Sequence, residues 1–295
     1  MISFPPAKIN IGLSIQSKRT DGYHDIVTIM APIPLYDILE VLPAERFSFV
    51  QTGLVLPDDG KLNLCERAYY LMKEKYGIGD VKIHLRKQIP FGAGLGGGSA
   101  DAAYVLKALN DLFNLSIETG ELENLAAQLG SDCPFFIDAT PKLASGRGEM
   151  LSPIEERISG LRLVVLNPKI HVSTAFAYAA VVPQDKHLDW EASWNSPIDD
   201  WQGLFSNDFE KPISEHFPLI SEIIQELKNQ GALYAAMSGS GSSVFGLFAK
   251  TEKPNFSKFQ EFLVLNEEIW MKKNVEKNLE NSQNKIIFLL LNLSL

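Results

Sequence analysis

The clearest periodicity lies near the start of the chain. Ile9, Ile11, Leu13 and Ile15 alternate with other residues and predict a strand over 7–15 with one apolar face buried. Lys8, Asn10 and Ser14 then share the opposite face. A turn signal at Thr20-Asp21-Gly22 follows, and alternating Ile26, Thr28 and Met30 lead to proline breaks at Pro32 and Pro34. Helical spacing over 62–76 ends at Gly77, and Val81, Ile83 and Leu85 alternate before Pro90. Beyond a glycine-rich turn, Ala100, Ala103, Leu106, Leu109, Leu112 and Phe113 form the stripe of a helix that runs out at Asn114. Further helices are expected over 117–129 and 218–229, and apolar strands over 161–166 and 244–248. A boundary near Ser152-Pro153 divides domains of 1–152 and 153–270. No repeat or low-complexity linker separates them, so close packing is expected. The apolar run at 286–291 falls short of the roughly 20 residues a bilayer span needs. It is expected to pack as a terminal helix or strand on the body or a neighbour, with a frayed end as the alternative, in a tail of 271–295 to which no role is assigned.

Composition narrows the class. The 295 residues are 45% hydrophobic, enough for a sizeable core, and a net charge of -9 argues against nucleic-acid and membrane-surface partners. Cys65 and Cys133 lack metal-ligand spacing and are expected to be buried thiols in a reducing compartment. The first residues, Met1-Ile2-Ser3-Phe4-Pro5-Pro6, lack the basic start and apolar stretch of a secretory signal, which makes the cytoplasm the expected location.

The strongest local signal is the run from Ile89 through Pro90, Gly92, Gly94, Leu95, Gly96, Gly97, Gly98 and Ser99 to Ala103. Glycines let backbone N–H groups approach an anion closely, and the following helix points its positive end at the same place. No Gly-Lys-Ser/Thr closes the run, so it is not a P-loop, and it is a poor dinucleotide fingerprint. A merely flexible turn is the alternative. Phosphoryl transfer also needs a group to orient an alcohol and a cation to screen charge on the phosphate oxygens. Lys8 and Asp132 are the candidates, although each alone reads as an ordinary surface residue.

The segments 5–10, 90–100, 130–136, 144–149 and 237–245, in that order, resemble the GHMP kinase superfamily. Asp21-Gly22-Tyr23-His24, the triple glycine before Ser99, and Phe205-Ser206-Asn207-Asp208-Phe209-Glu210 resemble its branch whose substrate carries a cytidine diphosphate. Resemblance runs from about Pro5 to Phe248. It implies an α+β, two-domain GHMP kinase fold, with a ribosomal-protein-S5-domain-2-like N-terminal domain and a ferredoxin-like C-terminal domain. It further implies Lys8 and Asp132 as the catalytic pair, with Asn10 holding the substrate. Pro90, Gly92, Gly94, Leu95, Gly96, Gly97, Gly98 and Ser99 would hold the ATP phosphates, and Asn63 and Asn110 would lie near the adenine. Tyr23, His24 and Tyr178 would surround the cytidine end, with Tyr178 offering the flat face. ATP and Mg²⁺ are the implied cofactors, with Ser99 a candidate hydroxyl contact for the metal. A small soluble alcohol is the implied partner, acted on by a monomer or homodimer. The alternatives are a GHMP kinase for homoserine, mevalonate or a sugar, a nucleotide-responsive binding protein of the same fold and, more remotely, an NAD-binding oxidoreductase.

Overall fold

The computed structural model describes residues 1–55, 60–184 and 186–269; the apolar run at 286–291 and the tail lie outside them. The first half runs through strands β1 (Ile2–Ser3), β2 (Pro6–Lys18), β3 (His24–Tyr36), β4 (Ile38–Pro43) and β5 (Ser48–Gly53). It continues with helix α1 (Leu64–Tyr76), strand β6 (Val81–Lys87), helices α2 (Gly97–Leu112), α3 (Thr119–Leu129) and α4 (Phe135–Asp138), and strands β7 (Lys142–Ser145) and β8 (Met150–Pro153). The second half has β9 (Arg162–Leu166), then helices α5 (Thr174–Ala179), α6 (Trp190–Asn195), α7 (Trp201–Leu204), α8 (Glu210–His216) and α9 (Pro218–Asn229). Strands β10 (Tyr234–Met237), β11 (Val244–Phe248) and β12 (Leu263–Glu268) close it.

The described residues form four-stranded sheets ordered β1-β4-β6-β5, β2-β3-β7-β8 and β10-β11-β9-β12. The third is antiparallel throughout. Its order, with the helices of the second half between β9 and β10, is the split βαβ plan expected of a ferredoxin-like half. The second crossover is only a 3₁₀ turn at Ser257–Phe262.

Two sequence expectations need correcting. Prolines do not end β3, which continues to Tyr36. Pro32 faces Lys8 across β2, and the Lys8 N–H points away to Leu95 O. The donor that Pro32 lacks therefore points to the other side, where pairing with β7 has already ended at Met30. The second correction concerns burial: β2 is covered on both faces from Pro6 to Ile15, not on one. Its apolar side chains Ile9 and Ile11 join Val165, Trp194, Trp201 and Phe245 in a core shared by both halves of the chain. Its polar side chains Lys8, Asn10 and Ser14 are buried too, and Lys8 and Asn10 line a cavity.

Local chemistry explains the helix that matters most. Helix α1 has a full capping box, with Asn63 accepting from Cys65 N–H and Glu66 reaching back to Asn63 N–H. By contrast, α2 begins at Gly96 with φ of 71° and no side-chain cap, so its first N–H groups are left for another acceptor.

Candidate active site

Lys8 is carried by β2, whose N–H at that position donates to Leu95 O at 2.9 Å and so ties the strand to the glycine loop. Its Nζ lies 3.5 Å from Asp132 Oδ2 and donates to Asn10 Oδ1. Asn10 Nδ2 in turn donates to Thr28 Oγ1 at 3.1 Å, and the Thr28 hydroxyl donates to Gly12 O at 2.5 Å. The ammonium is thus buried and fixed from two sides. Asp132, in the turn after α3, keeps 34% of its side chain exposed and can still meet a ligand.

A cavity of about 460 Å³ brings these groups together with Gly92, Gly94, residues 96–99, Tyr23, His24 and Tyr178. Gly92, Gly94 and Gly96 have φ of 60°, 76° and 71°, a region that a side chain rarely adopts. Gly97 is glycine for another reason, because a Cβ there would lie 2.8 Å from Ile89 Cγ2. Pro90 also lines the cavity. Leu95 does not; it is buried and contributes its carbonyl to Lys8. A second cavity of about 650 Å³ shares residues 90–93 and is otherwise lined by groups including Gln88, Lys169, His171 and Phe262.

At the aromatic end, the His24 and Tyr178 rings stack with centroids 4.7 Å apart, and Phe209 meets Tyr178 edge-on at 4.9 Å. One face of Tyr178 is therefore already covered by the His24 ring. Burial, with the Lys18 charge adding to it, lowers the His24 pKa below the ordinary imidazole value. Burial and nearby Asp132 push the Tyr178 phenol up to about 12. Tyr23 is the more open ring, with the Arg147 guanidinium 4.9 Å from its centroid.

The two residues expected near the adenine each accept a backbone hydrogen bond within the fold. Asn63 is the cap of α1, and Asn110 Oδ1 accepts from Ile117 N–H at 2.9 Å. Asn110 also sits near the far end of α2, about 20 Å from its start at about 1.5 Å per residue. Arg147 is a cavity residue that the sequence reading passed over. The signal for it was its place between Gly146 and Gly148, both at positive φ, in a turn that aims one long cation at the site. Among the described residues no group of three or more His, Cys, Asp and Glu could hold a metal. Ser99 and Asp132 are among the oxygen-bearing side chains that line the cavity, and one hydroxyl with one carboxylate suits Mg²⁺ bound chiefly through phosphates and water.

Two family models match the chain: GHMP kinases N terminal domain over residues 63–139, and GHMP kinases C terminal over residues 196–258. A 4-diphosphocytidyl-2-C-methyl-D-erythritol kinase of Azobacteroides pseudotrichonymphae is 48% identical over 87% of this chain and 98% of its own. One of Cytophaga hutchinsonii is 47% identical over 84% of this chain and 92% of its own. A solved 4-(cytidine 5'-diphospho)-2C-methyl-D-erythritol kinase aligns with a TM-score of 0.70 and 37% identity, covering 84% of this chain and 90% of that one. The chain belongs to the GHMP kinases and, within them, to the 4-diphosphocytidyl-2-C-methyl-D-erythritol kinase family. A mevalonate kinase from Methanococcus jannaschii, 14% identical with a TM-score of 0.63, shares the two-domain fold.

Proposed function

We propose that this protein transfers the γ-phosphoryl group of ATP to the C2 hydroxyl of 4-diphosphocytidyl-2-C-methyl-D-erythritol, a step of non-mevalonate isoprenoid-precursor synthesis. The observation that carries the reading is the Lys8–Asp132 pair, 3.5 Å apart, in one cavity with the uncapped start of α2. The alcohol oxygen attacks in line, the new O–P bond forms as the bond to ADP breaks, and the hydroxyl proton passes to Asp132. A carboxylate of reference pKa near 3.9 is a weak base towards an alcohol, so alignment and charge screening carry most of the effect. Lys8 steadies Asp132 and the transferring group. Asn10 acts chiefly on Lys8, because both polar ends of its carboxamide are engaged. The N–H groups of residues 96–99 hold the phosphates, Tyr23, His24 and Tyr178 surround the cytidine, and Arg147 faces the substrate's diphosphate. Ser99 and the nucleotide phosphates would hold Mg²⁺, which supplies further charge neutralisation there.

We place the reaction in the cytoplasm, carried out by a monomer or homodimer with no nucleic-acid or membrane partner, a reading supported by the charge of -9. No helix among the described residues is long and apolar enough to cross a membrane. The domain division near Ser152-Pro153 is supported by the end of β8 at Pro153. The test is a coupled ADP-release assay with MgATP and four alcohols: the cytidylyl substrate, 2-C-methyl-D-erythritol 4-phosphate, mevalonate and homoserine. Turnover should be confined to the first, because remote binding energy aligns the reacting hydroxyl. Equal kcat/KM for the first two alcohols would remove the cytidine pocket from this account.

A further inference from the structure

We infer that Asn207, a buried residue that lines neither cavity, is a positioning residue that sets the register of the phosphate loop against the Lys8–Asn10 strand by acting through Ser238. The inference rests on the phosphoryl-transfer reading of the site. Asn207 Nδ2 donates to Met237 O and to Gly239 O, each at 2.8 Å, and so holds the two residues that flank Ser238. Its Oδ1 accepts from Phe209 N–H at 3.0 Å, which locks the carboxamide the right way round. Ser238 is fully buried, and its hydroxyl donates to Gly94 O at 2.9 Å and accepts from Asn10 N–H at 3.3 Å. One hydroxyl thus touches both the loop that would carry the phosphates and the strand that carries Lys8.

The fit has no slack. A Cβ on Gly94 would lie 1.9 Å from Ser238 O, and one on Gly239 would lie 3.2 Å from Asn10 Oδ1. Asn207 is itself anchored to β2, because Leu13 N–H donates to Ser206 O and Asp208 N–H donates to Leu13 O, both at 2.9 Å. Three points on β2, at Lys8, Asn10 and Leu13, are therefore tied to the glycine loop, to Ser238 and to the Asn207 turn. The carboxamide joins the last two, beside Glu210, whose carboxylate accepts from Met237 N–H at 2.9 Å. A shift of about 1 Å between nucleotide and alcohol is enough to cost up to about 10²-fold in rate.

The test replaces Asn207 by Asp, which keeps the oxygen facing Phe209 and turns two donors into an acceptor facing carbonyls. The expected result for Asn207→Asp is a kcat lower by roughly 10- to 100-fold, with KM for ATP and for the alcohol each within about threefold. Amide exchange should quicken at residues 92–96. Ser238→Ala should reproduce both effects. The double variant should lose no more than about threefold beyond the worse single variant, because the two act in series. If Asn207→Asp does not fold, Ser238→Ala carries the same two readouts. Unchanged exchange at 92–96 in the folded variants, or losses that multiply in the double variant, would overturn the inference. Absence of turnover in the unmodified protein would instead remove the functional reading, and the exchange measurement would still decide the positioning role.

Discussion

The role proposed for Asp132 is separable from the fold, because 34% of its side chain is exposed. Asp132→Asn keeps the shape and removes the charge, so kcat should fall by about 10²–10⁴-fold while ATP binding and the melting temperature stay near their original values. Near-normal kcat in steady-state assays would end the assignment. Arg147, proposed to face the substrate's diphosphate, should behave differently, because a cation so placed acts in binding. Hydrogen bonds to charged groups contribute about 1.5–3 kcal/mol, so Arg147→Met should raise KM for the cytidylyl alcohol by roughly 10- to 100-fold and leave KM for ATP alone. The glycine loop allows a finer comparison. A methyl on Gly98 meets only Leu64, at 3.8 Å, whereas one on Gly97 meets Ile89 at 2.8 Å. Gly98→Ala should therefore fold normally and raise KM for ATP, while Gly97→Val should first lower stability in a thermal melt.

Behind the loop, three elements converge on buried charge. Lys87, at the end of β6, bonds Asp37 from the β3–β4 corner and Asp101 from the first turns of α2. Asp37 Oδ1 also takes Gln88 N–H and Ile89 N–H, but Asp101 Oδ1 has no partner. Burial, with Asp37 adding to it and Lys87 opposing it, pushes Asp101 up to about 8. Burial alone would lower Lys87, but the two carboxylates outweigh it and hold its pKa above the ordinary value. Lys87→Met should then cost about 3–5 kcal/mol in urea denaturation, because it removes the cation shared by two buried carboxyl groups, Asp37 and Asp101. Lys87→Met/Asp101→Leu should recover part of that loss. None of this was legible in the sequence, since partners 14 and 50 positions apart leave no periodic trace. The helices α1, α2 and α9 were legible, because each has an apolar stripe and a break or turn residue at its end. Tyr234–Met237 was not, because a short strand buried along its whole length shows no alternation. Lys8, Asp132 and the loop were readable from their motif order. The covering of Tyr178 by His24 was not, for it depends on where α5 packs against the start of β3.

For the whole molecule, the shared core decides how the halves respond to heat. Trp194, Trp201 and Phe245 of the second half pack with Ile9 and Ile11 of the first, so neither half keeps its interior when the other opens. Calorimetry should give a single cooperative transition, and two resolved peaks would show halves that melt independently. The double-sided covering of β2 has a further consequence, at the ribosome. This strand is also one whose partners are made very late, as Ile15 N–H donates to Asp208, 193 positions downstream. At about 5–20 residues per second, that partner is translated on the order of ten to forty seconds afterwards. Throughout that interval the nascent chain carries a long, sticky, unfinished strand, and its safe passage depends on whatever shields it before its own second half has been made.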